Sequence, residues 1–169
     1  IDIQNQDNHF TGKIITWVFE YVPQNEKQTN RIFKRTTNLD LNEIGLIRSL
    51  LLSKHFKELP PDDSIVGWKK GLDGYSYHFE YSTRDCYTFK SYWSPISQGI
   101  LKEAVLVQSI VDSVLKISSA NKELKDFLKD VPFESYYTDG GSHAVLKVLT
   151  RKERRKYRRE RKRFLRKEH

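Results

Sequence analysis

From Tyr75 to Trp93, large aromatic side chains recur at every second position: Tyr75, Tyr77, Phe79 and Tyr81, then Tyr87, Phe89 and Trp93. A period of two lines one face of an extended strand, and an α-helix cannot place such a row on one side. The stretch therefore predicts a β-hairpin, entered through turn chemistry at Gly71-Leu72-Asp73-Gly74. An odd-numbered loop between Tyr81 and Tyr87 brings both aromatic rows to the same face, because a one-residue slip moves every side chain across the sheet. That register gathers His78, Glu80, Thr88 and Lys90 on the other face.

Other segments alternate between strand and helix patterns. In residues 13–22, Ile15, Trp17, Phe19 and Tyr21 share one strand face and Thr16 and Glu20 the other; a polar loop over 23–30 then leads to a returning strand over 31–37. Asp40-Leu41-Asn42-Glu43 has the form of a capping box, with Leu39 and Ile44 placed as a hydrophobic staple. Ile44, Ile47, Leu50, Leu51 and His55 follow at helical spacing until Leu59-Pro60-Pro61 stops the helix. Ser97 is placed to cap a second helix whose stripe of Ile100, Ala104, Val107, Val111 and Val114 is widened by Leu101, Val105 and Leu115. Ser118-Ser119 interrupts it, Leu124, Phe127 and Leu128 continue it briefly, and a last hairpin turns at Asp139-Gly140-Gly141. The expected fold class is α+β: an antiparallel sheet of five to seven strands, covered on one face by the helices starting near Asp40 and Ser97, with a basic C-terminal helix added. Residues 1–11 read as a polar leader, 12–150 as one domain and 151–169 as that helix.

Charge is distributed very unevenly. The last nineteen of the 169 residues hold twelve of the 30 Lys and Arg against three Glu, a net of +9, while the preceding 150 carry eighteen basic and nineteen acidic side chains. Arg151, Lys152, Arg154, Arg155, Lys156, Arg158, Arg159, Arg161, Lys162, Arg163, Arg166 and Lys167 form a candidate anionic-partner surface. Thr150-Arg151-Lys152-Glu153 repeats the capping-box form, and Tyr157, Arg161, Phe164 and Leu165 fall on one side of the helix it starts. Repulsion between neighbours such as Arg154 and Arg158 costs a few tenths of a kcal/mol per pair, so the helix is marginal alone and firmer when docked or bound. Phosphate neutralisation on nucleic acid, an anionic membrane surface, an acidic protein, and docking on the body itself are all open to such a segment.

Catalytic and metal chemistry find little purchase. His78, Glu80 and Lys90, with Asp73 and Asp85 in the flanking turns, are of the types a hydrolase uses for general acid and base work. The same types fill the solvent face of any amphipathic hairpin. Cys86 is the single cysteine, which excludes an intramolecular disulfide, and it reads as a half-buried inert thiol. The histidines at 9, 55, 78, 143 and 169 show neither H-x-H nor H-x-x-x-H spacing, Asp62-Asp63 stands alone in a loop, and no glycine-rich nucleotide loop is present. No metal or cofactor is expected. The aromatic rows read as core under the second helix, and no RNA-recognition run of alternating basic, Gly and aromatic residues accompanies them.

The run 68–95, with Gly71-Leu72-Asp73-Gly74, the Tyr75-x-Tyr77-x-Phe79-Glu80 strand and Tyr92-Trp93-Ser94-Pro95, resembles hairpins in small uncharacterised exported proteins of the Bacteroidetes. The resemblance implies a periplasmic or secreted location and no assigned activity. It shifts weight from nucleic acid toward a membrane or protein partner in the envelope. The functional expectation is a non-enzymatic binding or structural domain with an anionic partner, with nucleic-acid binding and a hydrolase built on His78 and Glu80 as alternatives.

Overall fold

The computed structural model describes residues 1–7, 9–23, 25–139 and 142–167. Its elements run β1 Asp2–Gln6, β2 His9–Glu20, β3 Ile32–Asn38, α1 Leu41–Ser53, β4 Ser76–Ser82, β5 Tyr87–Trp93, α2 Lys102–Ile117, α3 Ala120–Asp130, β6 Ser135–Asp139, β7 Ser142–Val145 and α4 Arg151–Leu165. The fold is α+β, with short 3-10 turns at Asp62–Ser64 and Pro95–Gln98. The strands do not make the single sheet expected. β2 pairs with β1, β3 and β6, and β7 follows β6, giving a 5-stranded sheet, while β4 and β5 form a 2-stranded sheet of their own. The pairings β2–β3, β2–β6, β6–β7 and β4–β5 are antiparallel. The chain divides into two compact units, one of Ile1–Asp2, Lys13–Asn38 and Asn121–His169, the other of Ile3–Gly12 and Leu39–Ala120.

In the first unit β2 is the central strand. Phe19 lies opposite both Ile32 and Tyr136, so β3 and β6 flank it. The core face of β2 carries Ile14, Val18 and Glu20, not the Ile15, Trp17, Phe19 row. Val18 packs with Phe33 of β3, with Leu124, Phe127 and Leu128 of α3, with Val131, Phe133 and Leu149, and with Tyr157 of α4. The aromatic row lies on the opposite side as a ladder in which Trp17 meets Phe19 at 5.2 Å, Phe19 meets Tyr136 at 5.9 Å and Tyr21 meets Tyr136 at 6.1 Å. Both faces of β2 are apolar, and the face that meets α3 and α4 became the core. The hairpin turn at Gly140-Gly141 lies outside the described residues.

The second unit begins with strand, not leader, since β1 and the start of β2 fall inside the first eleven residues. α1 opens with the expected capping box: Glu43 N donates to Asp40 Oδ1 at 2.7 Å and Asp40 N to Glu43 Oε2 at 2.8 Å. Leu39 and Ile44 are both buried. α2 starts four residues later than Ser97 predicts. Ser97 sits in the 3-10 turn and the N-cap position is Leu101, without a side-chain cap, so Ile100 and Val105 are exposed rather than part of the stripe. Val107 and Val111 of α2 pack on Tyr77 and Phe79 as expected, and on Tyr92, but Tyr87 and Phe89 of the second aromatic row are exposed and not part of this core.

The turn before β4 is held by close packing. A Cβ on Gly74 would lie 2.4 Å from Ser94 Oγ and 2.6 Å from the Trp93 ring, and one on Gly71 would lie 2.8 Å from the same ring. Neither the ring nor the backbone it is fixed to can yield cheaply. Gly74→Ala is therefore expected to lower unfolding stability by about 1–3 kcal/mol, read from the midpoint of a denaturant titration. A midpoint at the wild-type value would show that the turn is not packed this way.

Candidate anionic-partner interface

α4 starts on the expected capping box, in which Glu153 N donates to Thr150 Oγ1 at 3.3 Å and Thr150 N donates to Glu153 Oε2 at 2.8 Å. These Thr150 hydrogen bonds hold the Glu153 carboxyl below its ordinary range. Basic Lys162 and Arg163 in the last turn complement the helix dipole, while Arg151 and Lys152 in the first turn oppose it. What fixes the helix is its inner face. Tyr157 is buried against Phe133 at 5.9 Å, and the Arg31 guanidinium covers the Phe164 ring at 4.9 Å.

Arg161 completes that face. Its side chain is 7% exposed, with Nε 3.1 Å from Glu20 Oε1, whose side chain is fully buried. The guanidinium also pairs with Glu26 and donates to the Lys27 carbonyl, and Thr29 Oγ1 donates to Glu20. Arg154 pairs with Glu134. Two of the twelve predicted partner-binding cations, Arg161 and Arg154, are thus occupied by carboxylates of their own chain. Sequence placed Arg161 correctly on the apolar side but not its role.

The other ten cations, Arg151, Lys152, Arg155, Lys156, Arg158, Arg159, Lys162, Arg163, Arg166 and Lys167, are all exposed. At about 100° per residue they fill roughly half of the helix circumference without a break. Glu153 and Glu160 both fall at one margin of the inner half. Tyr157 and Phe164, the residues an interfacial helix would sink into lipid, are turned inward.

The hairpin candidates do not assemble. Pairing runs Tyr77↔Tyr92, His78↔Ser91, Phe79↔Lys90, Glu80↔Phe89 and Ser82↔Tyr87, so the loop is the four residues 83–86. Residues opposite one another share a face. His78 and Glu80 therefore stand with Phe89 and Tyr87, and Lys90 with Phe79 and Tyr77 on the other side. His78 stacks on Phe89 at 5.5 Å and is exposed, as is Glu80. Lys90 is buried, with Nζ donating to the carbonyls of Phe56 at 2.8 Å and Lys57 at 2.7 Å, and burial lowers its pKa. Cys86 lies exposed at the hairpin tip, not half-buried. Asp62 is buried and structural: it accepts from Trp93 N at 2.7 Å and pairs with Lys70 at 3.0 Å. Gln98, which no sequence pattern marks, binds both the N–H and the carbonyl of Lys69, at 2.8 and 2.9 Å.

Among the described residues no group of three or more His, Cys, Asp or Glu is placed to hold a metal ion. Among the same residues no helix is long and apolar enough to cross a membrane. Comparison with protein-family models, curated proteins and solved structures finds no match.

Two outcomes follow from these environments. Arg161→Ala leaves the Glu20 carboxylate buried without its partner and is expected to cost about 3–5 kcal/mol, whereas Arg158→Ala on the outer face is expected to stay within about 0.5 kcal/mol of wild type. Denaturant unfolding of both variants checks the contrast, and equal losses would show that Arg161 is not a core residue. Burial, helped by the hydrogen bond with Tyr75, pushes the Tyr77 phenol from 10.0 up to about 12, and burial raises Tyr92 further, with the charge of Asp62 adding. The folded chain keeps these protons where the unfolded chain releases them, so their stabilisation is whole below pH 10 and is lost as pH rises above it. Tyrosinate absorbance should show the highest-titrating components disappearing in Tyr77→Phe and Tyr92→Phe; a titration centred wholly near 10 would contradict the packing.

Proposed function

We propose that this chain is a non-enzymatic binding protein that engages an anionic partner through the outer face of α4. The observation that carries the reading is the unbroken half-cylinder of ten exposed cations, held on a helix whose apolar residues are used for docking on its own unit. A helix built only to solubilise a terminus has no need of such segregation, since mixed charge serves that end better. The attraction is electrostatic. With Tyr157 buried and Phe164 beneath Arg31, insertion of aromatic side chains into a bilayer adds nothing. The hydrolase alternative keeps His78 and Glu80 together on one exposed face, but the hairpin register parts Lys90 from them.

Long-chain inorganic polyphosphate is a suitable generic probe. The full chain should bind it with an affinity that falls steeply between low and moderate NaCl, as counterion release requires. Reversing Arg155, Arg158, Arg159 and Lys162 to Glu should weaken binding by at least about 100-fold and flatten the salt dependence, with the circular dichroism spectrum unchanged. Retention of the salt dependence in that variant would remove α4 as the interface.

A further inference from the structure

The shape of the basic surface, not only its charge, narrows the partner. Around α4 the cations form three rows: a crest of Arg155, Arg159 and Arg166, one flank with Arg151 and Arg158, and the opposite flank with Lys156 and Arg163. With its side chains a helix is roughly 10–12 Å across, so the flanks lie on opposite sides of the cylinder. A flat anionic surface meets the crest and leaves the flanks pointing along it. The major groove of B-form DNA, about 12 Å wide between two phosphate walls, meets all three rows at once.

Length and chemistry agree with this. Residues 151–167 span about 25 Å at 1.5 Å per residue, over which a duplex presents on the order of 15 phosphates. Six of the ten outward cations are Arg, whose planar fork suits bidentate contact with phosphate oxygens. Residues 151–167 contain no Asn, Gln, Ser or Thr, the neutral side chains that read base edges. Arg and Lys can also reach guanine edges, but a continuous cationic half-cylinder facing two phosphate walls is suited above all to backbone contact, which carries no sequence information. Capping by Thr150 and latching by Tyr157 and Arg161 form the helix before any partner arrives, so binding carries little ordering cost.

Resting on the anionic-partner reading above, we infer that the outer face of α4 is a sequence-independent docking surface for double-stranded DNA, seated in the major groove. A-form RNA, whose major groove is narrow and deep, is a poorer ligand. The test uses the full chain and fluorescence anisotropy with a random-sequence 20-bp DNA duplex, an RNA duplex of the same sequence and phosphatidylglycerol vesicles. Three pairs are compared, R151Q/R158Q, K156Q/R163Q and R155Q/R159Q, after checking that their thermal transitions match wild type.

The expected result is DNA binding whose log K falls against log salt with a slope of about −5, matching roughly six phosphate contacts. Each of the three pairs should reduce that slope by about 2. The RNA duplex should bind at least about tenfold more weakly. Sensitivity confined to the crest pair, or vesicles bound as tightly as DNA, would overturn the duplex assignment and point to a flat anionic surface, leaving the anionic-partner reading intact. Equal affinity for the RNA duplex would overturn the groove assignment. No salt-dependent binding to any probe would overturn both.

Discussion

The pairing of Arg161 with Glu20 sets the orientation of everything that matters on α4. Glu20 ends β2 on the core side of the sheet, fully buried and a few residues from the apolar core around Val18. A carboxylate in that position needs a cation, and Arg161 supplies it, braced by Glu26 and the Lys27 carbonyl. Such a pair adds little net stability over apolar packing because both ions are desolvated. Its effect is on rotation. The apolar contact of Tyr157 with Phe133 attracts the helix to the sheet, but any other rotation would bury an unpaired Lys or Arg. One ion pair therefore sends ten cations outward together.

In the second unit, the placement of one ring plays a comparable part. The Trp93 ring packs against the Gly71 and Gly74 backbone, while the residue's backbone N–H donates to Asp62 and its carbonyl accepts from Trp68 Nε1 at 3.0 Å. Tyr92 beside it is buried with its hydroxyl on the Pro60 carbonyl at 3.0 Å. With Tyr92 committed to the core, β5 must turn Phe89, Tyr87 and Trp93 to the other face, and the register follows. Lys90 then points inward, where the carbonyls after α1 accept its hydrogen bonds. A residue set that resembles acid–base machinery in sequence is divided by these packing demands.

Much of the architecture was legible in the residues. Both capping boxes, at Asp40 and Thr150, formed as their spacing required, because the hydrogen bonds involved span only three residues. The hairpin over β4 and β5 and the apolar side of α4 were equally plain from periodicity. The faces were not. β2 has apolar residues on both sides, and alternation cannot tell Ile14 and Val18 from Ile15, Trp17 and Phe19 as the buried set. The start of α2 was misplaced because Ser97 is a good cap by type, yet the left-handed backbone at Ser94 and Gly99 leads the chain through a 3-10 turn first.

Sequence by itself determined that the chain is α+β, that its charge is concentrated in a capped C-terminal helix, and that this helix has an apolar side, since each follows from local spacing and composition. Tertiary structure alone decided that the strands divide into two sheets, that the β4–β5 register separates Lys90 from His78, and that Arg161 belongs to the core while ten other cations face solvent. These depend on which distant groups need a partner, Glu20 for Arg161 and the carbonyls of Phe56 and Lys57 for Lys90, and such needs arise only when segments far apart in the chain are packed together.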